Sequence, residues 1–243
     1  MVHSPVELDQ ALREGLEALG GGVGHIVSPN YEHLKYAAQW AEAFPKAAIH
    51  ACPGLPERMP EVPWTSELFA EAFKGRQQQP APEAWEGSIE AVHFDCERNP
   101  FNGKPFFNEV VLFHTRSKTF FCADTFWNYP SGSRPNFELD KGAEGTGRVH
   151  DCPKVPIGAE MVPSVNVPRG TAAWKFGMDK VYLPFYRQFM VGGGRREAYK
   201  AAVGRVLAWA PETIVPCHGD TLRGREACRM ALTKHFFGPG ESW

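Results

Sequence analysis

Residues 24–52 hold a strand, a helix and a second strand within about thirty positions, and this limits the fold more tightly than anything else in the chain. Gly24-His25-Ile26-Val27-Ser28 is a short β-branched run that stops at Pro29-Asn30. Glu32 to Phe44 carries apolar residues at helical spacing, and Ala47 to Cys52 is a second short apolar run. Two strands joined through a helix pair in parallel with a right-handed crossover. The chain is therefore read as α/β. Ahead of this unit, Val6, Leu8, Leu12, Leu16 and Leu19 predict an amphipathic helix over Pro5 to Leu19, with Ser4 as an available N-cap and Gly20 to Gly22 as its stop.

Strand patterns return at Ile89 to Phe94, Glu109 to His114 and Thr119 to Ala123, and the short connection holding Ser117-Lys118 predicts a hairpin between the last two. Asp179 to Met190 is aromatic-rich, and Arg195 to Trp209 is an amphipathic helix. Thr213 to Cys217 is a buried strand ended by His218-Gly219-Asp220, and Arg225 to Phe236 is a closing helix. Between these elements lie two loop-rich insertions at about 53–86 and 129–170, the first with one helix predicted at Thr65 to Lys74. The second is too long for a plain connection and is expected either to form a lid over a site or to be disordered. Gly and Pro together make up about a fifth of the 243 residues, above the average, which rules out an all-helical bundle. With no linker and no internal repeat, residues 1–243 are read as one domain.

Charge and cysteine content narrow the function classes. With 26 basic and 28 acidic side chains the net charge is -2, so nothing supplies the positive field that nucleic-acid binding draws on. No apolar run approaches the roughly 18 residues of a membrane span, and the first residues resemble no signal peptide. The six cysteines lie apart without a CxxC pair, which implies reduced thiols in a reducing compartment such as the cytoplasm.

Polar clusters fall at the C-terminal ends of three predicted strands: Ser28, Asn30, Glu32 and His33 after the first, Asp124 after the hairpin, and His218 after the last. Ligand sites in α/β sheets gather at that edge. Two imidazoles and two carboxylates suit a divalent metal such as zinc, manganese or iron. Taken singly, each of these residues is as well explained by a loop or a turn cap. His25, His50 and His93 lie within strand patterns and are expected to be satisfied by neighbours. Cys217 is expected to point away from His218 into packing. Trp127, Tyr129, Trp174 and Tyr182 are either apolar pocket lining or aromatic core.

The segments HIVSPNYEHLKYAAQWAEAFPKAAIHACPGL, EVVLFHTRSKTFFCADTFWNYP and VLAWAPETIVPCHGDTL resemble an uncharacterised branch of the metallo-β-lactamase-like superfamily, a domain of unknown function, over about residues 3–237. The resemblance implies an αββα sandwich with a metal cleft along one sheet edge. The family's HxHxDH motif is present here as Ser28-Pro29-Asn30-Tyr31-Glu32-His33, so only His33 matches outright. No histidine stands near Lys104 to Phe107, where the family has its next one. The metal-bridging aspartate matches Asp124, and the last histidine matches His218. The three histidines of the first metal position are thus all replaced, whereas the second position retains His33, Asp124, His218 and an acid, Glu32.

The resemblance therefore implies one divalent metal at most, acting as a Lewis acid in hydrolysis of an ester, thioester, lactone or amide. Glu32, one methylene longer than the family's aspartate, is either a fourth ligand or a general base. Asn30 is a candidate to orient the substrate or an oxyanion. His114 falls beyond the ligand position and is expected to be structural. The alternative is a metal-free pseudoenzyme whose cleft binds a ligand or a protein. The family also has strands ahead of the SPV segment that this sequence does not show, so either the sequence is truncated at its start or a second copy or a partner is expected to cover that sheet edge.

Overall fold

The computed structural model describes residues 1–69, 85–129, 161–162 and 170–238. Both predicted insertions, and with them the expected lid and Cys152, lie largely or wholly outside the described residues. In chain order the elements are β1 (Val2–His3), α1 (Gln10–Ala18), β2 (His25–Ser28), α2 (Ala37–Ala43), β3 (Ala48–Ala51), α3 (Leu55–Arg58) and β4 (Ser66–Glu67). Then come β5 (Ile89–His93), β6 (Val110–His114), β7 (Thr119–Cys122), β8 (Met161–Val162), α4 (Thr171–Gly177), α5 (Leu183–Phe185), α6 (Arg196–Ala208), β9 (Thr213–Pro216), β10 (Thr221–Arg223) and α7 (Arg225–Phe236).

Two sheets carry the strands. The first has the order β1-β2-β3-β4 and every pair in it is parallel. The second has the order β5-β6-β7-β9-β10-β8 and is antiparallel except for β7 beside β9. The predicted crossover unit is present as β2-α2-β3 and the predicted hairpin as β6-β7.

The layers follow from side-chain alternation along the strands. In the first sheet Ile26 and Ile49 pack with Leu8, Trp40 and Ala41 under the helices, whereas Val27 faces Leu55, Leu68, Val110 and Leu112 between the sheets. In the second sheet Val110 and Leu112 take that inner side, while Val111 and Phe113 join Phe120, Tyr199, Val203, Val206 and Leu232 under α6 and α7. β6 is buried on both faces, which is why its sequence is almost continuously apolar. The result is a helix–sheet–sheet–helix stack, the αββα sandwich.

Three expectations change. Ser66 and Glu67 form β4 rather than the start of a helix, because Thr65 and Leu68 donate to the Ile49 and Ala51 carbonyls and so complete β3; residues 70–74 of that predicted helix lie outside the described residues. The first helix starts only at Gln10 and is capped by the Asp9 carboxylate, which accepts from Leu12 N at 2.8 Å, so Ser4 is not its cap. A strand does precede the SPV segment: Val2 and His3 pair with Ile26 and Val27. The edge of the first sheet on this side is therefore the two-residue strand β1. The aromatic-rich 179–190 segment is helical, with π turns at Met178–Tyr182 and Tyr186–Met190 flanking α5. Pro184, which has no N–H to give to a regular ladder, sits between them.

Candidate functional site

Strand register brings two of the predicted residues together. Cys122 of β7 is the parallel partner of Pro216 of β9. Asp124 and His218 each lie two residues further on, so they leave the same sheet edge side by side. Both loops are fixed. The Glu109 carboxylate accepts from the backbone N–H of Ala123, Asp124 and Thr125 at 2.6, 2.7 and 2.8 Å. The His218 carbonyl accepts from Asn128 N at 2.9 Å, and the Asn128 carbonyl accepts from Asp220 N at 2.9 Å. Gly219, at φ +104°, lets the two chains approach this closely, since a Cβ there would meet the Asn128 carbonyl oxygen at 2.1 Å.

His33 arrives from the other sheet. The turn after β2 is tied to β6 by Val110 N donating to Pro29 O and by Tyr31 N donating to Phe107 O. Within it, Asn30 Oδ1 accepts from Glu32 N at 3.1 Å and His33 N at 2.8 Å, an Asx turn that aims His33 at the edge of the second sheet. There His33 Nε2 lies 3.2 Å from Asp124 Oδ2 and 3.2 Å from His218 Nε2, and His218 Nε2 lies 3.1 Å from Asp124 Oδ1. Among the described residues, His33, Asp124 and His218 are the group of three whose ligand atoms lie close enough to share an ion.

The electrostatics of the trio are those of an ion pair. Burial disfavours the Asp124 carboxylate, yet hydrogen bonds from His218 and His33 hold it well below the usual carboxylate range. Burial likewise disfavours an imidazolium at His33, but hydrogen bonds to Asp124 and Cys217 push it up to about 10. Nearby, His3 is pushed down to about 3 by burial and by the charge on His33.

The other predicted residues are placed as follows. Glu32 is exposed and stands outside the trio. Asn30 is fully buried, and its amide donates to Asp124 Oδ2 at 2.7 Å and to Glu109 Oε2 at 3.4 Å. With its carbonyl oxygen accepting twice, it has no group free for a substrate oxyanion and instead orients Asp124. Cys217 is exposed rather than packed, because β9 ends at Pro216 and the strand alternation on which that expectation rested ends with it. His114 sits beside the hairpin turn at the opposite end of β6, with Nδ1 2.7 Å from Ser117 Oγ. His25 and His50 share a 3.0 Å contact, and His93 meets Asn108 Oδ1 at 2.9 Å, so each in-strand histidine has a partner. Trp127 is buried and donates to Asp179, Tyr129 lies beside His218 with ring centres 6.0 Å apart, and Trp174 is exposed. Five cysteines, Cys52, Cys96, Cys122, Cys217 and Cys228, are free thiols.

Sequence reasoning missed Glu109 and Ser4. Glu109 opens an apolar strand, where a carboxylate reads as solvent-facing, yet it is 1% exposed, and this burial raises its pKa. Ser4 Oγ lies 2.5 Å from His33 Nδ1 across 29 residues of chain, a separation that leaves no local signal.

No helix among the described residues is long and apolar enough to cross a membrane. No protein-family model matches the chain, and no curated protein does. Among solved structures the chain is similar to a DIM-1 metallo-beta-lactamase exposed to ceftazidime, at 14% identity and a TM-score of 0.42, covering 92% of this chain and 72% of that one. A second structure of the DIM-1 metallo-beta-lactamase matches at 12% identity and a TM-score of 0.41, covering 92% and 75%.

Proposed function

We propose that the protein binds one divalent metal ion at His33, Asp124 and His218 and hydrolyses a small carbonyl substrate: an ester, thioester, lactone or amide. The observation that carries this reading is the spacing of three donors delivered by three separate loops. One ligand atom from each lies within 4.8 Å of the others, and the two imidazole nitrogens are 3.2 Å apart, against about 3.4 Å for the edge of a tetrahedron with metal–ligand bonds of about 2.1 Å. Two imidazoles and a carboxylate form a donor set suited to zinc, with manganese or iron as the alternatives. A bound ion would supply Lewis acidity toward a carbonyl group.

The chain's own residues hold this arrangement ready. Asn30 donates to Asp124 Oδ2 and so fixes the plane of the carboxylate, with Oδ1 turned toward His218. Glu109 fixes the backbone on either side of Asp124, so its carboxylate cannot swing away. His218 is about one-third exposed and opens the site to solvent and substrate.

The test is metal analysis of protein loaded with zinc or manganese, repeated on His218→Ala. One equivalent of metal per chain, lost in the variant, is expected; no metal in the wild type overturns the reading. A second reading, a metal-free binding protein, is supported by Asp124, whose oxygens are met by Asn30, His33 and His218 without any ion. It expects Asp124→Ala to lower the melting temperature of metal-free protein, because three buried or half-buried partners lose their acceptor. An unchanged melting temperature would count against it.

A further inference from the structure

We infer that Ser4 is the positioning residue for His33, a latch through which the N-terminal strand of the first sheet sets the imidazole that faces the second. Three observations converge on it. Ser4 is buried, at 6% exposure. Its backbone sits at φ +57°, a left-handed conformation that a serine seldom adopts and that persists only where the surroundings enforce it. The enforcing contacts are Ser4 N donating to Val27 O at 2.9 Å, which extends β1 along β2 by one more bond, and the hydroxyl 2.5 Å from His33 Nδ1. The helix that follows uses Asp9 as its cap, so the Ser4 side chain serves no helix.

The chemistry follows from the two ring nitrogens. A histidine presents one nitrogen to a ligand only if the other has a partner that fixes the ring and its proton. Here Nδ1 of His33 is partnered by Ser4 Oγ, and Nε2 is left facing Asp124 and His218. Without the hydroxyl Nδ1 loses its partner and the ring can rotate about its bond to Cβ. The effect of Ser4 on metal binding rests on the single-metal reading above; its effect on the His33 ring does not.

Ser4→Gly separates the two roles of the residue, because glycine accepts φ +57° freely and lacks only the hydroxyl. In metal-free protein, 15N-correlated imidazole spectra, with His33 assigned by its absence from His33→Gln, are expected to show the His33 Nδ1 resonance displaced in Ser4→Gly relative to the wild type. Zinc affinity is expected to fall by about 10–100-fold, the usual cost of losing a ligand's outer partner, while the melting temperature holds or rises. Unchanged His33 resonances in Ser4→Gly overturn the latch, whatever the zinc result. If the spectra shift but zinc affinity stays at the wild-type value, the latch does not serve metal binding and that part of the inference falls. If wild-type protein takes up no zinc, the metal reading falls and the imidazole spectra alone decide the latch.

Discussion

The two sheets of this protein are built on opposite principles, and the candidate site draws on both. The first is wholly parallel, with α2 as the crossover from β2 to β3, and it delivers His33 through a tight turn. The second is largely antiparallel, and it delivers Asp124 and His218 from its parallel pair, β7 and β9. Parallel strands end at the same edge, so residues following them in register become neighbours, whereas an antiparallel pair sends its ends apart. His114 illustrates the second case: it closes β6 beside the hairpin, at the far edge from Asp124. One parallel pair in an antiparallel sheet is enough to make a site, provided the facing sheet supplies the remaining donor.

The sheets also differ in how they hold their donors, and this can be tested by removing one support at a time. The largest effect is expected in the second sheet, at Glu109. Replacement by alanine strips the partner from three backbone N–H groups around Asp124 and should destabilise the fold by about 3–5 kcal/mol, measured by chemical denaturation. A loss below about 1 kcal/mol would mean that the loop finds other partners. Next is Gly219→Ala. The new Cβ would press on the Asn128 carbonyl oxygen at 2.1 Å, and a cost of about 1–3 kcal/mol, together with loss of the metal site, is expected.

The matching position in the first sheet is Gly54, at φ +76°, where a Cβ meets the Tyr31 hydroxyl at 2.6 Å. That hydroxyl ends a side chain that can move, at the expense of its hydrogen bond to Pro53 O. Gly54→Ala should therefore cost less than Gly219→Ala, about 1 kcal/mol, and an equal or larger cost would remove the distinction between a rigid and a yielding support.

A smaller effect should follow pH, since charge pairs the sheets across the site. His33 is raised above its ordinary value of 6.5 to about 10, so its contribution is full below 6.5 and is lost as pH rises through about 10. Asp124 is lowered from 3.8, so its contribution is present above 3.8 and is lost in more acidic solution. Metal-free protein should thus melt highest between about pH 4 and 6.5. The decline toward pH 10 should disappear in His33→Gln, and its persistence there would assign it to other groups. The smallest effect is expected at the exposed Cys217, where the serine hydroxyl can take over the thiol's hydrogen bond to His33 and stability should change by less than about 0.5 kcal/mol.

The residues with the clearest sequence signals are those governed by neighbours along the chain. The strand–helix–strand unit, the hairpin, and helices α6 and α7 are written in local periodicity and turn chemistry, although the helix expected over Glu32 to Phe44 runs only over Ala37–Ala43, because the turn that Asn30 holds takes up the residues before it. The same local rules fail at Ser66, where pairing with β3 overrides a helical pattern, and at Cys217, where the strand ends one residue earlier than its alternation implied. The site divides in the same way. His33, Asp124 and His218 were legible because each follows a recognisable strand, and Asn30 was legible as a turn residue.

Sequence alone determined that this chain builds an α/β fold and placed its imidazoles and carboxylates at strand ends. Only the tertiary structure decided which of them meet. It set Glu32 outside the trio, turned the Asn30 amide onto Asp124, and brought in Glu109 and Ser4 as supports from elsewhere in the chain. The physical reason is range: hydrogen-bonded turns and strand alternation act over a few residues. The contacts by which Glu109, Ser4 and Asn30 hold the donors from elsewhere in the chain join residues 14 to 94 positions apart and exist only once the strands have paired and the two sheets have packed.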